Sequence, residues 1–308
     1  METSIPNNIS DMTSVEELFK ASFINIDKPS GPTSFDTVDV IKRIIPVSKT
    51  SHSGTLDPKV TGVLVVGIGR AARLLRFLPS DKEYVGVMWL HEDIPEEQLK
   101  EAVKKFIGKI TQLPPKRCAV KRQEREREIY SFDILEKEER KVLFRVHCEA
   151  GTYIRKLCHD LGEAIKVGAH MLELRRSKAG SFDEKDSITL YQLQEAYEKY
   201  KQGDESLLKK YMHPIEILTN LIPTFEVKDD SIKRILTGSP VFKGFLKNEE
   251  TLRNQQVSGA PKTGKFSSET KDLKVGCYIA LTHNHKLVGV ERIVHEGTTI
   301  AVPEMIIN

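Results

Sequence analysis

Between His52 and Leu74 the chain reads HSGTLDPKVTGVLVVGIGRAARL. Gly54 and Pro58 bracket Asp57 in a turn that leads into the β-branched run VLVVGI, which reads as a buried strand. A carboxylate held by a rigid turn at a strand's mouth is placed to react with something bound there. Residue types alone leave a plainer reading open, because Asp-Pro pairs begin many ordinary turns. The same stretch spells GIGRAA, with Gly67, Gly69 and Ala72 at the G-x-G-x-x-A spacing of a dinucleotide site. Context speaks against that site: the following helix has room only from Arg70 to Leu78 before Pro79 ends it, and no βαβ unit surrounds it. Cys118, Cys148, Cys158 and Cys277 show no C-x-x-C spacing and no His partners at zinc-finger intervals, so they read as idle thiols of a reducing compartment. His283 and His285 form an H-x-H pair that lacks further ligands and reads as a polar turn rather than a metal site. From Lys116 to Arg127 runs a cationic stripe of Lys116, Arg117, Lys121, Arg122, Arg125 and Arg127, interrupted by Glu124 and Glu126. Phosphate contacts use such a stripe; a merely charged hairpin is the competing reading.

These groups need elements to place them. FINIDKPSGPTS, from Phe23, reads as a short strand, a Pro/Gly turn and a capping Thr33 or Ser34 ahead of an amphipathic run from Thr37 to Ile45. KEYVGVMWL alternates like a strand, and EEQLKEAVKKFIG is a helix closed by Gly108. EIYSFDILE and KVLFRVHCEA pair around the charged turn Lys137 to Lys141, with an amphipathic helix from Thr152 behind them. Hairpins among helices predict a mixed, largely antiparallel α+β sheet rather than a doubly wound one. Helices follow Asp186 up to about Thr219, then Pro223 opens short, tightly spaced strands and one short helix at Asp230 to Leu236, the pattern of a small β-barrel. The polar run from Lys247 to Asp272 cannot bury much surface and reads as a mobile loop, and residues 1 to about 20 read as a loose arm with one weak helical turn.

At 308 residues, two domains are expected. Hydrophobic residues at 39% and charged residues at 30% exclude the disordered and membrane classes. A net charge of +3, from 47 basic and 44 acidic side chains, does not by itself announce a nucleic-acid binder. The polar, acidic N-terminus has no basic n-region or apolar h-region, and no stretch holds 18 consecutive apolar residues, so a soluble intracellular protein is expected.

HSGTLDPKVTGVLVVGIGRAARL resembles the signature of the TruB-type pseudouridine synthases, and INIDKPSGPTS resembles the motif that precedes it there. The similarity continues in order through KEYVG, LPPKRCAVKRQEREREIY, EAGTYIRKLCHDLG and VGAHMLELRRSKAGSF, over about residues 23–190. The AVKRQEREREIY, EAGTYIR and VGAHMLELRR wordings look most like the archaeal and eukaryotic dyskerin branch, the catalytic subunit of box H/ACA ribonucleoproteins. That resemblance implies an RNA isomerase needing no cofactor or metal. Asp57 matches the nucleophile, Arg155 the arginine paired with it, and Tyr84 the aromatic that stacks on the target base, where stacking is worth roughly 1 to 3 kcal/mol. His52 matches the histidine that fills the space the flipped nucleotide leaves, while Lys28 and Leu174 match pocket-lining positions for which packing is the plainer role. Lys121 and Arg122 fall on what the family uses as an RNA-clamping loop. An ordinary aspartate, with a pKa of about 3.9, is already ionised at neutral pH.

The C-terminal segment resembles a PUA domain, with Gly238, Pro240, Gly244, Gly276 and Gly289 at its turns. It departs in the polar run and in Cys277, which stands where an acidic residue commonly follows the glycine. The implied organisation is an arm over 1–22, a catalytic domain over 23–220 and an RNA-binding barrel over 221–308. The implied partners are guide RNA, substrate rRNA or tRNA, a small zinc-ribbon-like or hairpin subunit, a β-barrel subunit and a kink-turn-binding ribosomal-type protein, with no membrane. A stand-alone enzyme acting on the tRNA T-loop and a non-catalytic RNA-binding scaffold are the alternatives. Ending without a lysine-rich tail favours an archaeal or compact eukaryotic source, cytoplasmic in the first case and nucleolar in the second.

Overall fold

The computed structural model of this chain describes residues 13–113, 123–247 and 275–307. In chain order it forms α1 (Val15–Lys20), β1 (Ala21–Lys28), α2 (Ser34–Ile44), β2 (Thr50–Ser53), β3 (Thr61–Gly69), α3 (Ala71–Leu74), β4 (Lys82–Leu90), α4 (Glu96–Lys104), β5 (Gly108–Gln112), β6 (Arg125–Glu138), β7 (Lys141–Cys148), α5 (Ile154–Ala164), β8 (Ala169–Ala179), β9 (Phe182–Asp183), α6 (Leu190–Lys201), α7 (Ser206–Tyr211) and β10 (Met212–Pro214). The remainder adds β11 (Thr224–Glu226), α8 (Ile232–Leu236), β12 (Val241–Phe242), β13 (Tyr278–His283), β14 (Lys286–Glu296) and β15 (Thr299–Ile306). The first set makes one mixed sheet in the order β10-β1-β3-β8-β4-β7-β6-β5, with β2 on β3 and β9 on β8. The second makes a five-stranded sheet, β11-β13-β14-β15-β12. Pairing is antiparallel except for β3 with β8 and β11 with β13, so the α+β, largely antiparallel expectation holds.

Local chemistry sets the helices. Thr33 and Asp36 form a reciprocal capping box that starts α2, and Thr37, Val38 and Ile41 then face inward. Thr189 and Gln192 do the same for α6. One core packs Leu99, Val103, Leu157 and Leu161 of α4 and α5 against Phe132, Phe144 and Val146; another packs α2, α6 and α7 against Ile24, Leu64 and Val66. Each such side chain contributes roughly 1.5–3 kcal/mol on burial. Phe77, Leu218, Ile222, Leu287, Val290 and Met305 share a third cluster, so the second sheet is seated on the first by apolar packing. The Phe77 and Tyr278 rings meet edge to face there, 5.0 Å apart.

Residues 13–20 are not a loose arm. Ser14 caps α1, and Val15 and Leu18 are fully buried in the core beside α7. The acidic flanks hid two anchoring side chains, and a boundary at residue 22 would cut β1. Gly108 does not close α4, which ends at Lys104; with φ +96 it opens β5 instead. The helical stretch expected up to Thr219 gives way to β10, which extends the large sheet beyond β1 and is too short to show a period. The polar run beyond Lys247 lies outside the described residues, as does Cys118; Cys148, Cys158 and Cys277 are buried and form no disulfide among the described residues. His283 ends β13 with Nε2 2.9 Å from Asp229 Oδ1, and His285 lies in the hairpin turn at φ +64. No described helix is long and apolar enough to cross a membrane.

Candidate active site

Asp57 lies in the loop between β2 and β3, flanked by Leu56 and Val60, both buried in the core that contains Tyr84 and Ile154. The loop is fixed from below by the first motif. Ser34, buried on the first turn of α2, accepts from the Leu56 N–H at 2.8 Å and donates to the Leu56 carbonyl at 3.1 Å. Lys28 is fully buried at the end of β1, and its ammonium donates to the carbonyls of Pro29 at 2.8 Å, Pro32 at 2.7 Å and Pro58 at 3.1 Å. The Gly31 N–H also reaches the Pro58 carbonyl, at 2.9 Å. INIDKPSGPTS and HSGTLDP are therefore one bonded unit. Lys28 holds its two turns together from beneath, and burial pushes its ammonium below the ordinary lysine range.

Held at both ends, the Asp57 carboxylate stands 56% exposed and accepts a hydrogen bond from Nη2 of Arg155, itself 59% exposed. Arg155 sits in the first turn of α5. The residue before that turn is held by one the sequence did not flag: Gln112, 2% exposed at the end of β5, accepts from the Tyr153 N–H at 2.9 Å and donates to the Tyr153 carbonyl at 3.2 Å. Gly151 precedes the helix at φ +82 with the Arg127 guanidinium against it, 3.1 Å from where a Cβ would stand. Arg127 thus belongs to the support of this helix start, while Lys121 and Arg122 lie outside the described residues.

Arg176 is the second unforeseen member. It is 1% exposed, donates from Nε to the Val63 carbonyl at 2.7 Å and from Nη2 to the Gly54 carbonyl at 2.8 Å, and lies 6.0 Å from the Tyr84 ring centroid. Gly62 has φ +99 and a Cβ there would fall 2.2 Å from the Arg176 carbonyl, so the close approach of β3 to β8 needs glycine. Gly69 likewise lies against the Lys20 carbonyl, 2.0 Å from a hypothetical Cβ, so this glycine of GIGRAA serves packing rather than phosphate binding. Along β8, adjacent arginines point to opposite faces: Arg175 pairs outward with Asp27 and Glu184 while Arg176 turns in. The LELRR wording carried that signal, but only the alternation of a strand separates their tasks. Leu174 packs half-buried on the Tyr84 core, against Gly86.

Tyr84 is only 8% exposed, so its ring is a packed wall beneath the loop, and burial pushes its phenol upward. His52 lies 3.3 Å from the Thr55 hydroxyl; desolvation and then the Arg176 charge hold its imidazole below the usual histidine value. Lys82, at the start of β4, is 5% exposed and donates to the Ser80 carbonyl at 2.8 Å. Burial, followed by repulsion from Arg176, lowers it from 10.5 to about 8 despite attraction from Asp81 and Cys148. Between those two pH values the unfolded chain binds the proton that the folded chain has released, so stability rises with pH across that window. Lys82→Met should abolish a rise on the order of 3 kcal/mol, read as the difference between the two proteins in urea unfolding from pH 7.5 to pH 10.5.

Known proteins match these residues. The model of the TruB family pseudouridylate synthase N-terminal domain matches residues 42–154, and that of the tRNA pseudouridylate synthase B C-terminal domain matches residues 155–219. A protein of Thermococcus kodakarensis named probable tRNA pseudouridine synthase B is 45% identical over 279 residues, covering 85% of this chain and 82% of the relative. One of the same name from Methanopyrus kandleri is 48% identical over 227 residues, 73% of this chain and 67% of the relative. Among solved structures, a chain from a Cbf5-Nop10-Gar1 complex superposes with TM-score 0.82 at 36% identity, over 96% of this chain and 88% of that one. A chain from an H/ACA RNP bound to a substrate RNA containing 2'-deoxyuridine gives TM-score 0.80 at 34% identity, over 97% and 88%.

Proposed function

Since this chain belongs to the TruB family of pseudouridine synthases, which are RNA isomerases, we propose that Asp57 is its nucleophile and that it converts uridines selected by a guide RNA. The observation that carries the first part is the exposed Asp57 carboxylate, gripped by Arg155 on a loop whose backbone is bonded to the fold on either side. In the isomerisation the N1–C1′ bond breaks, a C5–C1′ bond forms and the C5 proton is exchanged for one on N1, so nothing is oxidised or reduced. Asp57 adds to the substrate so that the uracil detaches, rotates and rejoins. Arg155 keeps the carboxylate charged and aimed. A uridine in folded RNA must first be turned out of its stack, at a cost of a few kcal/mol; Tyr84 and Leu174 supply the apolar wall beside it, and His52 takes part in filling the space it leaves.

Supporting the guide-directed reading is the match of nearly the whole chain, second sheet included, to subunits of H/ACA complexes. We read that second sheet as the PUA unit that fixes the RNA, and small protein subunits as the remaining partners. A stand-alone enzyme acting on tRNA is the second reading, favoured by the names of the relatives. The deciding assay maps pseudouridine in a T-loop tRNA transcript and in an rRNA fragment, each with and without a matching H/ACA guide and partner subunits. Product on the rRNA only with guide and partners is expected. Guide-free product on tRNA alone would replace that reading with the second, and bound RNA without product under any condition would make the chain a scaffold.

A further inference from the structure

A cavity of about 820 Å³ opens between the two sheets, lined on one side by Ser51, His52, Ser53 and Gly54 and on the other by Glu304, Met305 and Ile306, with Arg73, Leu75 and Arg76 between. Its volume lies in the range of sites that enclose a small organic ligand. Its lining is chemically divided. Leu75, Met305 and Ile306 give it an apolar side, and Ser51 and Ser53 bring two hydroxyls. Arg76 is already engaged, donating to the Glu304 carbonyl at 3.1 Å, and Arg292 holds the Glu304 carboxylate at 2.8 Å. Arg73 differs: it is exposed on α3 and, among the described residues, has no side-chain hydrogen bond or ion pair. Glu304, the acid of the lining, is thus already paired, and with Arg73 and Arg76 the lining carries one net positive charge. The strands bordering the cavity also have open edges among the described residues, since β2 pairs only with β3, and β15 beyond Ala301 pairs only with β14.

We propose that this cavity is a second nucleotide subsite, taking a splayed nucleotide of the substrate RNA close to the target uridine in the same strand. Its phosphate sits on Arg73, its base lies on Leu75, Met305 and Ile306, and its sugar lies beside the Ser51 and Ser53 hydroxyls. Gly54, on the cavity wall, is three residues from Asp57, a separation of at most about 11 Å of extended chain, so one RNA strand can reach both. Desolvation and the Arg176 charge disfavour the protonated form of His52, which limits repulsion between the shared wall and Arg73. The inference rests on the assignment of Asp57 as the reacting group only for the identity of the strand.

The test is binding, so it does not depend on turnover. The full chain, as wild type, Arg73→Ala, Arg73→Lys and Arg73→Glu, is titrated with an unmodified tRNA transcript and with a guide-paired rRNA fragment over a salt series; Lys104→Ala, on α4, controls for general charge. On the RNA that wild type binds more tightly, Arg73→Ala should weaken binding about fivefold or more and lower the salt slope by about one, as expected for one lost phosphate contact. Arg73→Lys should recover most of that loss, Arg73→Glu should deepen it, and Lys104→Ala should stay within about twofold. Wild-type binding with an indifferent Arg73→Glu protein would overturn the subsite alone and hand the cleft to a peptide strand paired on its open edges. Wild type that binds neither RNA, with guide and partner subunits present as well as without them, would overturn the subsite together with the RNA-modifying function.

Discussion

Asp57→Asn should lower pseudouridine formation by at least about three orders of magnitude, the scale on which enzymes lose rate when a covalent nucleophile is removed. The amide keeps the shape of the carboxylate and can still accept from Arg155, so substrate affinity should change little while single-turnover rate collapses. Stability should move by no more than about 1 kcal/mol, because the Asp57–Arg155 pair is more than half exposed on both sides and exposed pairs contribute little. Arg155→Lys should retain part of the activity and Arg155→Gln little of it, since lysine keeps the charge but loses the planar fork. The measurement is a single-turnover assay beside a thermal melt. An Asp57→Asn protein that still forms pseudouridine at the wild-type rate would remove Asp57 from the chemistry.

Much of this is legible in the residues themselves. Asp57 announced itself because turn-forming residues and a β-branched strand bracket it, and both signals are local. The pairing of β6 with β7 was legible for the same reason: alternation on either side of a charged turn. What stayed hidden depends on distance along the chain. The sequence shows Lys28 and Pro58 thirty residues apart, and nothing in either stretch says that a buried ammonium joins them. Gln112 and Tyr153 are separated by forty-one residues and a hairpin, yet they exchange two hydrogen bonds that set the start of α5 and hence the position of Arg155. The helical turn of α1 is legible, but its anchoring is hidden for another reason: its polarity is that of a mobile terminus, and only Val15 and Leu18, at helical spacing, disclose that it is buried. In the sequence the cationic stripe reads as one feature, but Arg127 lies against Gly151 at the start of α5, and Arg125 is exposed on β6.

The second large effect belongs to Arg176, which touches no substrate in the arrangement proposed above. Its guanidinium is fully enclosed, and it ties Gly54, three residues before Asp57, to Val63, the first residue of the buried core of β3. Arg176→Met fills the space but leaves the Gly54 and Val63 carbonyls without that donor, at roughly 1–3 kcal/mol each for a buried unsatisfied group. Relief from burying an uncompensated cation offsets part of this. A net loss of about 2–4 kcal/mol is expected, a fall of roughly 5–10 °C in the thermal midpoint for a chain of this size. Activity should fall further than stability alone explains, because the loop that presents Asp57 loses its inner tether. A second consequence separates this account from a generic core defect. Arg176 is among the causes that hold Lys28, His52 and Lys82 below their ordinary values, so removing it should raise all three. In Arg176→Met the alkaline rise in stability governed by Lys82 should therefore begin at a higher pH than in the wild type. Urea unfolding across pH 7.5–10.5 reads that onset directly. An unchanged onset together with an unchanged midpoint would mean that the guanidinium neither anchors the loop nor sets the electrostatics beneath it.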